Sequence, residues 1–155
     1  MNLNLNQHNK TKQAGFSLIQ LLAGIGIIAL MSVMSIPALR QYQPNLKLRG
    51  EAKQLVADLR YAQQLTVTEQ KVHYIEMNII NAEYKIIKQE TPESPIKTVE
   101  LDSVINFQEI LNLTDNKVIF NSYGAVNEAG TIILVNSQGK TSTIQVKPSG
   151  YMQLQ

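Results

Sequence analysis

Cysteine is missing from all 155 residues, so disulfides, thiol chemistry and zinc–thiolate sites are excluded. Histidine is scarce, and His8 and His73 do not stand at metal-ligand spacing. No serine lies in a G-x-S-x-G frame, and Ser17, Ser142 and Ser149 carry no other local nucleophile signature. Glu76, Glu83, Glu90 and Glu93 are scattered over strand and loop positions where solvation explains them, and nothing pairs two of them as acid and base. No catalytic residue, metal ligand or cofactor site is singled out, so the expectation is a protein that is not an enzyme and holds no cofactor.

An excess of charge is also lacking. Fourteen Lys and Arg face 12 Asp and Glu, and two of the cations, Lys10 and Lys12, lie in a first stretch of fifteen residues without an acid. The remainder is neutral, which gives no electrostatic case for nucleic-acid binding. Arg49, Lys53, Arg60 and Lys71 form a basic strip, but Glu51, Asp58 and Glu69 interrupt it, as on a solvated helix face.

What the chain does have is one long uncharged run. From Gln13 to Leu39 there is no charged residue, and Phe16 to Leu39, "FSLIQLLAGIGIIALMSVMSIPAL", is long enough as a helix to cross a hydrocarbon layer needing ~20 residues. Residues 1–15, "MNLNLNQHNKTKQAG", read as a polar, basic leader. Conventional signal peptides share that order, but their apolar core spans only ~7–15 residues, and the best small-x-small site here, Val33-Met34-Ser35, is marginal. Arg40, Lys47 and Arg49 on one flank outnumber Lys10 and Lys12 on the other, so counting charges does not orient the segment. Gly24-Ile25-Gly26 lacks the strand, third glycine and lysine of a phosphate loop; small residues in an apolar helix instead permit close helix–helix approach.

Beyond the run, Leu48, Ala52, Leu55, Leu59, Ala62 and Thr66 recur at spacings of four and three, an amphipathic stripe over residues 40–70. Arg49, Lys53, Asp58 and Arg60 fall off that stripe and are expected to face water. Pro37 and Pro44 lie between the two patterns, where each removes a backbone donor and kinks rather than ends a helix. From residue 71 the period becomes two. "VHYIEMN" and "EYKIIK" predict a hairpin around residues 79–82, "TPESP" a loop, and "IKTVEL", "VINF", "KVIF", "TIILV" and "TIQV" further strands between turn signals such as "NSQGK" and "PSG". Short connections favour antiparallel pairing, and such a sheet needs a cover for its apolar face. The expected fold is α+β: a long N-terminal helix, transmembrane in its first half and amphipathic in its second, packed on an antiparallel β-sheet of residues 71–155.

The residues "AGFSLIQLLAGIGIIALMSVMSIPALRQY" resemble the N-terminus of type IV prepilins: a basic leader ending in Gly15, then Phe16, then an apolar helix with Pro37 at its twenty-second position. "EAKQLVADLRYAQQLTVTEQKVHYIEM", "YKIIK", "VIFNSYGAVNEAGTIILVN" and "IQVKPSGYMQL" are similar to H-type minor pseudopilins of type II secretion and FimT-like minor pilins. The resemblance implies a pilin-like fold and cleavage by prepilin peptidase between Gly15 and Phe16, with methylation of the new Phe16 amine. It also implies a single-pass anchor in the cytoplasmic membrane with the C-terminal part outside, followed by entry into a periplasmic pseudopilus or extracellular pilus. Partners would be other pilins, the peptidase and the inner-membrane assembly platform, with Gln20, Gly24, Gly26 and Pro37 in the assembly surface. Loops near Thr91 to Pro95 and Tyr123 to Gly130 would meet partner minor subunits or a ligand. Most members of the family carry Glu where this chain has Gln20. The implied role is a minor subunit that helps to initiate or cap the filament; the alternatives are a DNA-binding minor pilin of a transformation pilus and a signal-anchored extracytoplasmic enzyme or binding domain.

Overall fold

A computed structural model describes residues 17–155, with the side chains of residues 34, 35 and 37–39 outside the description. Gly15 and Phe16 therefore lie outside the described residues, as does the Pro37 ring. The chain divides after Leu39 into two compact units.

One helix, α1 (Leu18–Glu69), continues through Pro37 and Pro44. Beside Pro44, which has no N–H to donate, the helix is tied to the turn after Asn136. Gln138 donates to the Gln41 carbonyl at 3.0 Å, and the Asn136 amide donates to Asn45 Oδ1 at 2.9 Å. The helix ends where Gln70 turns left-handed at φ 53 and its side-chain amide caps the Val67 carbonyl at 2.7 Å.

Eight strands follow, in two four-stranded antiparallel sheets rather than the single sheet expected. The first has the order β3 (Ser94–Glu100), β2 (Glu83–Lys88), β1 (His73–Asn78), β5 (Lys117–Phe120). The second has the order β4 (Ile105–Leu111), β6 (Gly130–Asn136), β7 (Thr141–Val146), β8 (Met152–Leu154). The hairpin between β1 and β2 pairs His73 with Lys88 through Asn78 with Glu83. Its turn is held by Asn78 Oδ1, which accepts from the N–H groups of Ile80 and Asn81. The expected loop at Thr91 to Pro95 is shorter than its composition suggested. Ser94 and Pro95 already belong to β3, which tolerates a proline because it is an edge strand with a bulge opposite Ile86 and Ile87.

The amphipathic stripe is the keel of the core. Leu48, Ala52, Leu55, Leu59, Ala62 and Thr66 are all buried, against Ile75 and Tyr84 of the first sheet and Ile132 and Ile144 of the second. Arg49, Lys53 and Arg60 face water as expected, but Asp58 does not: it is only 5 % exposed. His73 is likewise wholly buried. It opens β1 on the inward side, where Thr66 Oγ1 accepts from its backbone N–H at 3.1 Å.

Candidate assembly surface

Over residues 18–33, α1 shows apolar side chains to every side. Leu18, Ile19, Leu22, Ile25, Ile28 and Leu30 are each more than half exposed. Its polar side chains are few. Ser32 returns its hydroxyl to the Ile28 carbonyl at 2.8 Å, which hides a donor within the helix, and Gln20 is exposed. Gly26 is exposed and Gly24 half-buried, and a Cβ built on either meets no atom within 4 Å. Glycine in a helix interior costs about 1 kcal/mol relative to alanine, and nothing in the described chain needs the space these two leave. Among the described residues no helix is long and apolar enough to cross a membrane. The uncharged stretch with fully described side chains, residues 18–33, is itself shorter than the ~20 residues a span needs.

In the second unit the chemistry is concentrated under α1. Asp58 accepts the Tyr84 hydroxyl at 2.6 Å, both oxygens take Lys97 Nζ at 2.7 and 2.8 Å, and the Gln54 amide adds a bond at 3.2 Å. Burial alone would raise the Asp58 pKa, but the bonds from Lys97, Tyr84 and Gln54, with the Lys97 charge, outweigh it and hold the carboxyl below its usual value. Burial first, and the Asp58 carboxylate second, push the Tyr84 hydroxyl far up. The cluster is closed and fully occupied, with no open position for a substrate. It fastens the helix to β2 and β3.

His73 receives a weaker set of partners. Nδ1 lies 2.9 Å from the Lys71 carbonyl, while Nε2 has no hydrogen bond and stands 3.7 Å from Glu69 Oε2. Around it Lys88 joins Glu69 at 2.8 Å and Glu90 at 3.1 Å, and Lys71 joins Glu90 at 2.6 Å. The scattered acids are thus largely matched by lysines, with Glu76 facing Lys117 and Glu83 facing Lys85. Burial first, and the neighbouring Glu93 carboxylate second, push the Tyr74 hydroxyl up to about 12. Among the described residues no group of three or more His, Asp or Glu is placed to hold a metal ion.

The two loops named from the sequence differ. In the first, Glu93 lies close enough to Tyr74 to help raise its pKa. In the second, Gly124 is buried beneath α1, where its carbonyl accepts from Gln63, while Tyr123 next to it is 92 % exposed. Gly150, at φ 77, presses on the Gly124 carbonyl and the Gln63 amide so closely that no side chain fits there, and Tyr151 beyond it is exposed. Sequence reasoning missed this joint and the Asp58 cluster; the adjacent "PSG" signalled only a turn.

Comparison with solved structures gives this arrangement its precedent. The minor pseudopilin EpsH from the type 2 secretion system of Vibrio cholerae superposes with a TM-score of 0.61 at 8 % identity, over 70 % of this chain and 96 % of that one. The fold is pilin-like. The type IV minor pilin FimU of Pseudomonas aeruginosa superposes with a TM-score of 0.59 at 15 % identity, over 74 % of this chain and 92 % of its own. A second EpsH structure gives 0.59 at 8 % identity, over 70 % and 92 % of the two chains. No family model and no curated protein sequence matches the chain. The α+β, pilin-like fold expected from the sequence is therefore the one observed.

Proposed function

We propose that this chain is a minor pilin or pseudopilin, a non-enzymatic subunit that helps to initiate or cap a type IV pilus or type II secretion pseudopilus. The observation that carries the reading is the pilin-like fold joined to a helical segment in which Leu18, Ile19, Leu22, Ile25, Ile28 and Leu30 are each more than half exposed. Such a segment is soluble only in lipid or against other subunits, and transfer from one to the other changes its apolar exposure little. Prepilin peptidase would cut between Gly15 and Phe16 and methylate Phe16. Cutting there leaves residues 16–39 as a membrane anchor first and an assembly surface afterwards. Gly24 and Gly26 would let a neighbouring helix approach, and Pro37 would set the helix direction at the end of the anchor.

Gln20 keeps hydrogen-bonding length without charge. An uncompensated ammonium from a neighbouring subunit's N-terminus is costly in a helix bundle, so Gln20 suits a position at the tip, where no further subunit needs a charge partner. On that reading Gln20→Glu leaves the number of filaments nearly unchanged, and a large gain in filaments contradicts the tip position. The experiment that tests the reading as a whole is the mass and N-terminal sequence of the mature protein from cells with and without prepilin peptidase. The expected start is methylated Phe16, lost without the peptidase. A start at Met1 or near Ile36 in both strains overturns the filament reading.

A further inference from the structure

In the second unit two turns meet beside the Gln63 turn of α1. The Gly124 carbonyl accepts from the Gln63 amide, and Gly150 is packed on both too closely for a side chain. The turn between β7 and β8 is also fixed in itself, since the Gly150 N–H donates to the Lys147 carbonyl at 2.8 Å and the Lys147 N–H to the Tyr151 carbonyl at 2.9 Å. The rings that flank this joint, Tyr123 and Tyr151, are exposed and take no part in the core. The charge around Tyr151 has one sign. Lys147 Nζ stands 5.7 Å from its ring centroid, and Arg60 joins Gln63, Ser149, Tyr151 and Met152 around a cleft of about 390 Å³. Neither cation has an acidic partner among the described residues, whereas Lys47, Lys71, Lys85, Lys88, Lys97 and Lys117 each have one. The neighbours of Arg60 on its helix face are Val56, Ala57, Gln63 and Gln64. No acid lines its cleft, nor the one beside Lys147 that Asn112, Gln145 and Pro148 line. Gln155, the last residue, lines a separate cleft with Arg49, Lys53 and Lys140.

Tyrosine and arginine are favoured anchors at the centre of protein interfaces. A tyrosine ring brings a large area at little cost in rotamer freedom, and a guanidinium takes a carboxylate through two parallel bonds. A backbone that is already fixed presents them in one geometry, so little further freedom is lost on binding. The acids that would complement these cations stand elsewhere in the fold. Glu100 and Glu109 are exposed and form no ion pair among the described residues. Glu100 lies on β3, an edge of the first sheet, and Glu109 on β4, the edge of the second sheet farthest from β8. Because these two belong to different sheets, a second copy of this chain fits the paired cations less well than a different protein does. Nucleic acid also fits less well: two cations neutralise few phosphates, and Lys147 occupies one face of the ring on which a base would stack.

We propose that Arg60, Lys147, Tyr123 and Tyr151 form a docking surface for an acidic segment of another pilin subunit. Arg60 and Lys147 each take a carboxylate, and the two rings cover the apolar side chains between them. This rests on the reading of the chain as a filament subunit and names the chemistry of one partner.

The test replaces Tyr123 of the full chain by the photo-cross-linker p-benzoylphenylalanine, in cells that carry the assembly machinery, and maps the adducts by mass spectrometry. The expected adduct joins another pilin subunit within a segment that holds more than one Asp or Glu. Arg60→Glu and Lys147→Glu, both at exposed side chains, are each expected to lower its yield by about tenfold as like charges come to face each other. Exchanging the mapped acid of the partner for lysine is expected to restore it. Adducts with a second copy of this chain, with nucleic acid or with a segment lacking acids overturn the proposal. A yield indifferent to both variants, or not restored by the exchange, overturns it too. So does the absence of adducts from a chain recovered with Phe16 at its N-terminus, which leaves the filament reading standing. Absence of adducts from a chain recovered with any other N-terminus overturns both.

Discussion

Residues 18–33 and residues 48–66 lie on one helix and use its apolar side chains in opposite ways. In the second stretch every member of the stripe from Leu48 to Thr66 is buried by the chain's own sheets, whereas in the first Ile25 is 57 % exposed and its neighbours are similar. Helix propensity does not separate the two. What differs is the breadth of the apolar surface: a stripe can be covered by one layer of strands, but a helix apolar on all sides needs surroundings on all sides. The second stretch is therefore written for the fold, and the first, on the proposed reading, for lipid and other subunits.

Substitutions sharpen that contrast. Leu55→Ala, at a position with no exposure, is expected to destabilise the chain by about 2–5 kcal/mol in urea unfolding. Ile25→Ala is expected to leave the same transition within about 0.5 kcal/mol. Next in size is Asp58→Ala, which leaves Tyr84 and Lys97 without their acceptor. Because Lys97 is partly exposed, the expected loss is about 2–3 kcal/mol, toward the lower end of what breaking a buried pair costs. Gly150→Ala forces a side chain onto the Gly124 carbonyl at a positive φ and is expected to cost about 1–3 kcal/mol, where Gly26→Ala costs nothing in the same assay.

Acid should affect the two stretches unequally as well. The Asp58 carboxyl titrates lower in the folded chain than in the unfolded one, so the folded state binds fewer protons there. Its stabilisation is full above the unfolded pKa of about 3.9 and is lost as pH falls through the lower folded value. Asp102, Glu69 and Glu90, held down by bonds from Lys47, Lys88 and Lys71 respectively, shift in the same direction. Unfolding midpoints measured from pH 7 to pH 3 should fall mainly below pH 4, and less steeply in Asp58→Asn.

The parts of this fold legible in the sequence are those with local causes. The stripe from Leu48 to Thr66 follows from the helical period, the hairpin of β1 and β2 from alternation on either side of a polar turn, and the tolerance of Pro37 and Pro44 from what proline removes. The division into two sheets was not legible, because it depends on which distant strands pair: β4 joins β6, and β5 returns to β1. Asp58 looked like a surface residue since its partners, Tyr84 and Lys97, lie 26 and 39 positions away. β8 has only three residues, too few to show a period. Of the residues proposed for assembly, Gly24 and Gly26 have open space beside them that the fold does not use. Gly15, Phe16 and Gln20 stand in the N-terminal motif, which on the proposed reading serves a peptidase and neighbouring subunits rather than the fold.

The most direct test asks what covers the first stretch in cells. A photo-cross-linking amino acid placed at Ile25, in cells that carry the assembly machinery, reports what covers the first stretch. The expected result is adducts with other pilin subunits that disappear when the assembly ATPase is removed, leaving only lipid contacts. Protein adducts indifferent to the ATPase, or none in assembling cells, would contradict the claim that this surface is made for a filament.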